Sequence, residues 1–304
     1  MIPYGDSRRW IAESKYFGEK FEELGGEVIL KVADRDEAKQ FQQALELIEQ
    51  GVQILVINSV NVNASASIVR EAHKKGIKVV AYDRLIQNSD LDFFVTFDGV
   101  KVGEMIAKYM LELVPEGNYV VFNGDRGDDN AILFQQGILN VLKDKIEAKK
   151  INLVFSGYMD DWLGTNAAFY MEKILECSSM DVNAILSTYD GLSDGISEVL
   201  KKHGLSGKIL ITGQDAEIAA CYRILNNEQV MTVYKPGKML AYKCAEITMK
   251  LVKNEKLENI KTIHNGKTDV LSLVIDPVVI DKNNLESVVI ADGFLTMDEI
   301  LNYK

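Results

Sequence analysis

Short runs of aliphatic and β-branched residues recur along this chain, each followed by a stretch with helical spacing. No other feature of the sequence limits the fold as much. Residues 52–57 (VQILVI), 77–82 (IKVVAY), 118–122 (NYVVF), 151–155 (INLVF), 182–186 (VNAIL) and 208–211 (KILI) read as strands covered on both faces. Between them the helices are amphipathic. Over residues 37–49, Phe41, Ala44, Leu45 and Ile48 share one face. Gly51, Gly76 and Gly204 stand where a left-handed helix terminator belongs. Strand and helix in alternation predict an α/β protein with doubly wound parallel sheets. At 304 residues the chain suits two such units. A weak internal echo between residues 43–83 and 171–215 agrees with two similar halves.

The tail departs from this pattern. Residues 238–253 predict a long helix. Asn265-Gly266 is a turn signal between two strand-like runs, 261–264 and 269–275, and Asp276-Pro277 breaks the second. A segment that leaves one half, joins the other and returns predicts several crossings, and hence a hinge.

The formal charge is −11 and the sequence pI about 4.9, which disfavours nucleic acid and other polyanions as partners. Cys177, Cys221 and Cys244 form no metal-ligand spacing with the three histidines His73, His203 and His264. They read as buried helical thiols. No cofactor and no metal are expected. No apolar run reaches the length of a membrane span, and no signal peptide opens the chain. The protein is then either cytosolic or separated from its export signal or anchor.

In open α/β sheets ligands bind beyond the carboxyl ends of the strands. The residues there are Tyr82, Asp83 and Arg84; Asn123 through Asn130; Asp160, Asp161 and Trp162; Tyr189 and Asp190; and Gln214 and Asp215. Arg8, Arg9 and Trp10 lie near the start, and residues 232–236 read as a strand ending in Lys235. The chain has two tryptophans, and both fall in these segments, read as loops. Planar carboxylates, amides and guanidinium groups address neighbouring hydroxyls in pairs, and an indole covers an apolar C–H face. A neutral sugar fits this set. Other readings stay open: Asp83, Asp125 and Asp190 as helix caps or structural acceptors, Arg84 as a surface ion pair, and both tryptophans as core.

Residues 75–85 (KGIKVVAYDRL) with 92–101 (DFFVTFDGVK) resemble the solute-binding proteins of bacterial pentose and hexose ABC transporters. Residues 128–131 (DDNA), 161–163 (DWL), 206–216 (SGKILITGQDA) and 231–236 (MTVYKP) narrow the resemblance to the D-xylose-binding branch, and 281–284 (DKNN) and 292–294 (DGF) fit it. The resemblance covers nearly the whole chain. It implies a type I periplasmic-binding-protein fold, two Rossmann-like lobes joined by a three-segment hinge near residues 114–117, 235–238 and 275–278. The lobes would be residues 1–114 with 237–275 and residues 115–236 with 276–304, with the sugar in the cleft between them. Arg9, Arg84, Asp128, Asn130, Asp215 and Lys235 would hydrogen-bond the sugar, Trp10 and Trp162 would cover its faces, and Tyr189 and Asp190 would complete the site. The family pattern has asparagine at the position of Tyr189, and favours asparagine at Asp129. Members also carry a strand of about six residues ahead of the Arg-Trp segment, centrally placed in the sheet. Here Met1 to Tyr4 stand in its place, which implies a truncated start or a short strand in the same role.

The function implied is extracytoplasmic capture of a monosaccharide, D-xylose, by hinge closure, with the closed form read by a transporter permease or a sensor kinase. Membrane anchoring would come through a removed N-terminal segment. The competing reading is the sugar-effector domain of a lactose-repressor-type regulator without its DNA-binding part; the acidic balance opposes it. The adjacent carboxylates Asp128/Asp129 and Asp160/Asp161 lack the defined separation a glycosidase needs, and no nucleophile–base set or nucleotide-binding motif is present, so no catalysis is expected.

Overall fold

The computed structural model describes residues 1–5, 7–177, 181–258 and 260–303. In chain order the first elements are α1 (Arg8–Glu23), α2 (Glu37–Glu49), β1 (Ile54–Ile57), α3 (Ala66–Lys74), β2 (Lys78–Tyr82), β3 (Phe93–Phe97) and α4 (Gly99–Leu113). Then come β4 (Gly117–Asn123), α5 (Asp129–Glu147), β5 (Ile151–Tyr158), α6 (Gly164–Cys177), β6 (Ala184–Ser187), α7 (Asp190–Lys202) and β7 (Leu210–Ile211). The rest are α8 (Ile218–Leu225), β8 (Thr232–Tyr234), α9 (Gly237–Val252), β9 (Lys261–His264), β10 (Asp269–Ile275), β11 (Val278–Ile280) and α10 (Met297–Leu301). The chain divides into two units, Met1–Phe97 with Pro236–Ile275, and Asp98–Lys235 with Asp276–Lys304.

The first unit holds a five-stranded sheet in the order β1-β2-β3-β10-β9. β1, β2, β3 and β10 run parallel to their neighbours, and β9 returns antiparallel through the Asn265-Gly266 turn. Its core forms on both faces, as the buried runs predict. Leu55, Ile57, Val79 and Ala81 pack with α2 and α3, while Val80, Tyr82, Phe93 and Val95 pack with Trp10, Leu240 and Cys244. β3 carries no polar alternation because all five of its residues are buried.

The first residues hydrogen-bond inside this unit, with Ile2 in an isolated parallel bridge to Val32. The Met1 amine donates to Val56 O at 2.7 Å, and Asn58 N donates back to Met1 O. On the other side Ile2 N donates to Lys31 O and Ala33 N to Ile2 O. These bonds tie the first two residues to the segments on either side. A cavity of about 670 Å³ in this unit has Met1, residues 28–30, residues 52–54, Phe17 and Thr248 among its lining.

The second unit holds a parallel four-stranded sheet, β5-β4-β6-β7, and an antiparallel pair, β11-β8. A single parallel bridge between Gln214 and Val233 connects the residue line beyond β7 to β8. α4 belongs here, which corrects the expected boundary at 114/115. Gly103 on α4 and Gly137 on α5 let the two helices touch backbone to backbone. A Cβ on Gly103 would stand 1.9 Å from Phe134 O, and one on Gly137 would stand 2.0 Å from Val100 O.

Two further expectations change. The Arg9-Trp10 pair lies on the first turn of α1, capped by Ser7, and not in a loop. Asp276-Pro277 does end β10, as expected, and the separate strand β11 follows and pairs with β8. Cys221 and Cys244 are buried as expected, but Cys177 is exposed. Gly51, Gly76 and Gly204 have φ of 77°, 71° and 66°, the left-handed values predicted from their places.

Candidate sugar site

The parallel strands of each unit end in polar loops, and the backbone there is strained. Asp83 follows β2 with φ 65°. Asp161 and Trp162 follow β5 with φ 55° and 56°, and Asp215 and Ala216 follow β7 with φ 96° and 52°. Side chains other than glycine rarely hold this conformation, which costs roughly 1–3 kcal/mol each and gathers at functional sites.

In the first unit Arg9 is the organising cation. Its Nε donates to Glu13 Oε1 at 2.7 Å and an Nη to Asp83 Oδ1 at 2.6 Å. The spacing of four residues on α1 places Glu13 beneath it. Tyr82 Oη donates to the other oxygen of Glu13 at 2.6 Å. All these groups are buried. Burial pushes the Glu13 carboxyl up, against the pull of Arg9. Arg84 is half-buried, and its guanidinium donates to Ser59 O at 3.0 Å. Beside it, both side-chain polar atoms of Asn58 and the Ser59 hydroxyl are buried without a partner among the described protein atoms.

Trp10 is buried. Its ring is 5 % exposed and sits in the core with Val80, Tyr82 and Phe93, with the Arg9 guanidinium 4.1 Å from its centroid. It packs α1 against this core and backs Arg9.

In the second unit a chain of contacts joins the predicted residues. Lys235 Nζ lies 3.2 Å from Asp215 Oδ1 and 5.6 Å from the Phe134 centroid. Phe134 meets the Trp162 indole edge-on at 6.3 Å, and Trp162 meets Tyr189 edge-on at 5.8 Å, 88° between planes. Gly124 lies against the indole, where a Cβ would stand 2.0 Å from the ring. Asp128 caps α5 and accepts from Asn130 N at 3.0 Å. Trp162 Nε1, Asn123 Oδ1 and Gln214 Oε1 are buried without a partner among the described protein atoms. Buried polar groups normally find partners, so this set fits a ligand or water rich in hydroxyls.

Asp190 is turned inward. It is fully buried, and its oxygens accept from Gln229 Nε2 at 2.9 Å, Thr232 Oγ1 at 2.9 Å and Glu217 N at 3.0 Å. Burial holds its carboxyl well above the ordinary range. It supports the loop after β7 from behind.

Sequence reasoning missed Glu13, Phe134 and Glu217. The i, i+4 pairing of Arg9 with Glu13 was a usable signal, as was the spacing that puts Phe134 one turn from Asn130. Glu217 accepts the Tyr189 hydroxyl at 2.7 Å across a gap of 28 residues, which no local pattern reports. Among the described residues no cluster of His, Cys, Asp and Glu suits a metal ion, and no helix is long and apolar enough to cross a membrane.

Two α/β units with three chain passages between them, each gathering charged, amide and aromatic groups beyond its strand ends, define a receptor for a small polar solute. A family model described as a periplasmic binding protein domain matches residues 1–256, and the chain belongs to that family. A D-xylose-binding periplasmic protein of Haemophilus influenzae is 42% identical over 292 residues, 96% of this chain and 88% of the relative. The D-xylose-binding periplasmic protein of Escherichia coli is 39% identical over the same shares. Among solved structures, an ABC transporter solute-binding protein of Clostridium phytofermentans with bound β-D-glucose gives a TM-score of 0.90 at 27% identity, covering 98% of both chains. Members of this family are solute receptors and not enzymes.

Proposed function

We propose that this protein captures D-xylose outside the cytoplasm and presents it to a membrane permease. The observation that carries the proposal is similarity, over nearly the whole chain, to two D-xylose-binding periplasmic proteins. The chemistry agrees with it. Arg9 and Arg84 of the first unit, and Asp128, Asn130, Asp215 and Lys235 of the second, offer paired donors and acceptors to a polyol. The Trp162 indole offers an apolar face. The two groups would meet one sugar when the units close on it. A sensor kinase as the reader of the bound form is the second reading; a fructose-binding periplasmic domain of a hybrid two-component system shares the fold, with a TM-score of 0.81. Calorimetric titration with D-xylose, with ribose, arabinose and glucose as controls, tests the proposal. One-site binding selective for D-xylose is expected. No heat with any of the four from folded protein would overturn it, and so would steady conversion of the sugar to a product.

A further inference from the structure

Tyr189 stands where the resemblance leads one to expect asparagine, and the structure gives it an unusual amount of support. It caps α7 with extended backbone, φ −158° and ψ 138°, and its carbonyl accepts from the hydroxyls of Ser187 and Ser193 at 2.9 and 3.1 Å. Gly191 makes room for the ring, since a Cβ there would stand 2.4 Å from Tyr189 Cε1. The ring edge meets the Trp162 indole, and the hydroxyl donates to Glu217 Oε1. Glu217 is in turn held through its own backbone N–H, which donates to Asp190. Trp162 needs such a brace because its backbone is left-handed and its indole nitrogen has no partner among the described protein atoms.

We propose that Glu217 is a positioning residue for the sugar site: by accepting the Tyr189 hydroxyl it fixes the phenol edge-on against Trp162 and so sets the plane of the indole on which the sugar lies. The second half of this statement rests on the sugar-binding reading above; the first stands on the geometry alone. The brace is also sensitive to pH. Burial raises the Glu217 carboxyl to about 7, against the pull of the Tyr189 hydrogen bond and of Arg223, with Asp215 and Asp194 adding to the rise. The other titratable groups that couple to it are Asp190, held high by burial, the Cys221 thiol, pushed up and therefore neutral, and Tyr303, also raised. Above neutrality the Tyr189 hydroxyl donates to a carboxylate, which makes a bond roughly twice as strong as one to a neutral acid.

The test uses the whole chain labelled with 5-fluorotryptophan. It gives two fluorine resonances, assigned with Trp10→Phe and Trp162→Phe. In ligand-free protein the Trp162 resonance should titrate with a midpoint near 7, and the Trp10 resonance should not follow it. Glu217→Gln, which keeps an acceptor and removes the charge, should abolish that titration, and Tyr189→Phe should displace the Trp162 resonance. At alkaline pH, Tyr189→Phe and Glu217→Ala should each weaken D-xylose binding by about tenfold. The double variant should be no weaker than either single one, and Glu217→Gln should retain most of the affinity. A Trp162 resonance that is flat with pH and identical in Glu217→Ala would overturn the proposal, as would strictly additive losses. Absence of sugar binding by the unmodified protein would sink the functional reading, while the resonances would still decide the positioning claim.

Discussion

Lys235 and Asp215 show how a residue can be read correctly for type and still need its surroundings to be understood. Both were selectable from sequence as polar groups after strands. Only the fold brings them to 3.2 Å and seats the ammonium over Phe134. Removing one member of a buried ion pair leaves the other charge poorly compensated. Lys235→Met should therefore reduce D-xylose affinity by about 100-fold, or roughly 3 kcal/mol, measured by calorimetry. Affinity within threefold of the unmodified protein would exclude Lys235 from the site. The raised carboxyls act on stability. Glu217 has its ordinary value near 4.5 when unfolded and about 7 when folded, so the folded state holds its proton longer. Its stabilisation is complete below the unfolded value and is lost as pH rises through 7. Asp190 is shifted in the same direction. Urea midpoints should fall between about pH 5 and 7.5, and Glu217→Gln should flatten part of that slope. A midpoint that rises across this window would contradict the burial described for these two groups.

At the scale of elements, strands and amphipathic helices were legible because burial imposes a period on sequence. The partners of those elements were not. α4 is as apolar as a helix of either unit would be, and the resemblance set the first hinge segment after it, near residues 114–117. The glycines Gly103 and Gly137 decide the matter, since they let α4 and α5 pack without side chains between them. Gly103→Val should cost about 2–3 kcal/mol in urea unfolding, because the backbone of α5 has no room to retreat. A loss below about half a kcal/mol would mean the helices separate easily. Asn265 makes the same point in the first unit. The turn at Asn265-Gly266 was readable, but its buried amide also donates to Ile86 O and Ser89 O, at 3.0 and 2.9 Å. It thereby holds the loop after Arg84 to the β9–β10 hairpin. Asn265→Ala should destabilise by about 2 kcal/mol through the two orphaned carbonyls, and should also weaken sugar binding.

For the whole molecule, a ligand that binds only the folded protein adds stability by mass action. D-xylose at about 100 times its dissociation constant should add about 2.7 kcal/mol and raise the melting temperature by several degrees. Arg84→Ala should lose most of that increment, and an equal rise with all four sugars would argue against a selective site. By itself the sequence determined the α/β class, most strand positions but not β3 or β11, the helix terminators, the Asn265-Gly266 hairpin and the resemblance behind the proposed solute. These are local properties, written in the period of apolar residues and in short motifs. Only tertiary structure decided that α4 joins the second unit, that Trp10 packs in the core and Trp162 meets Phe134 and Tyr189 edge-on, that Asp190 turns inward, and that Glu217 reaches Tyr189. Each of these depends on which surfaces meet across many residues of chain. Burial and hydrogen-bond satisfaction select that arrangement, and neither has a signature within a short stretch of sequence.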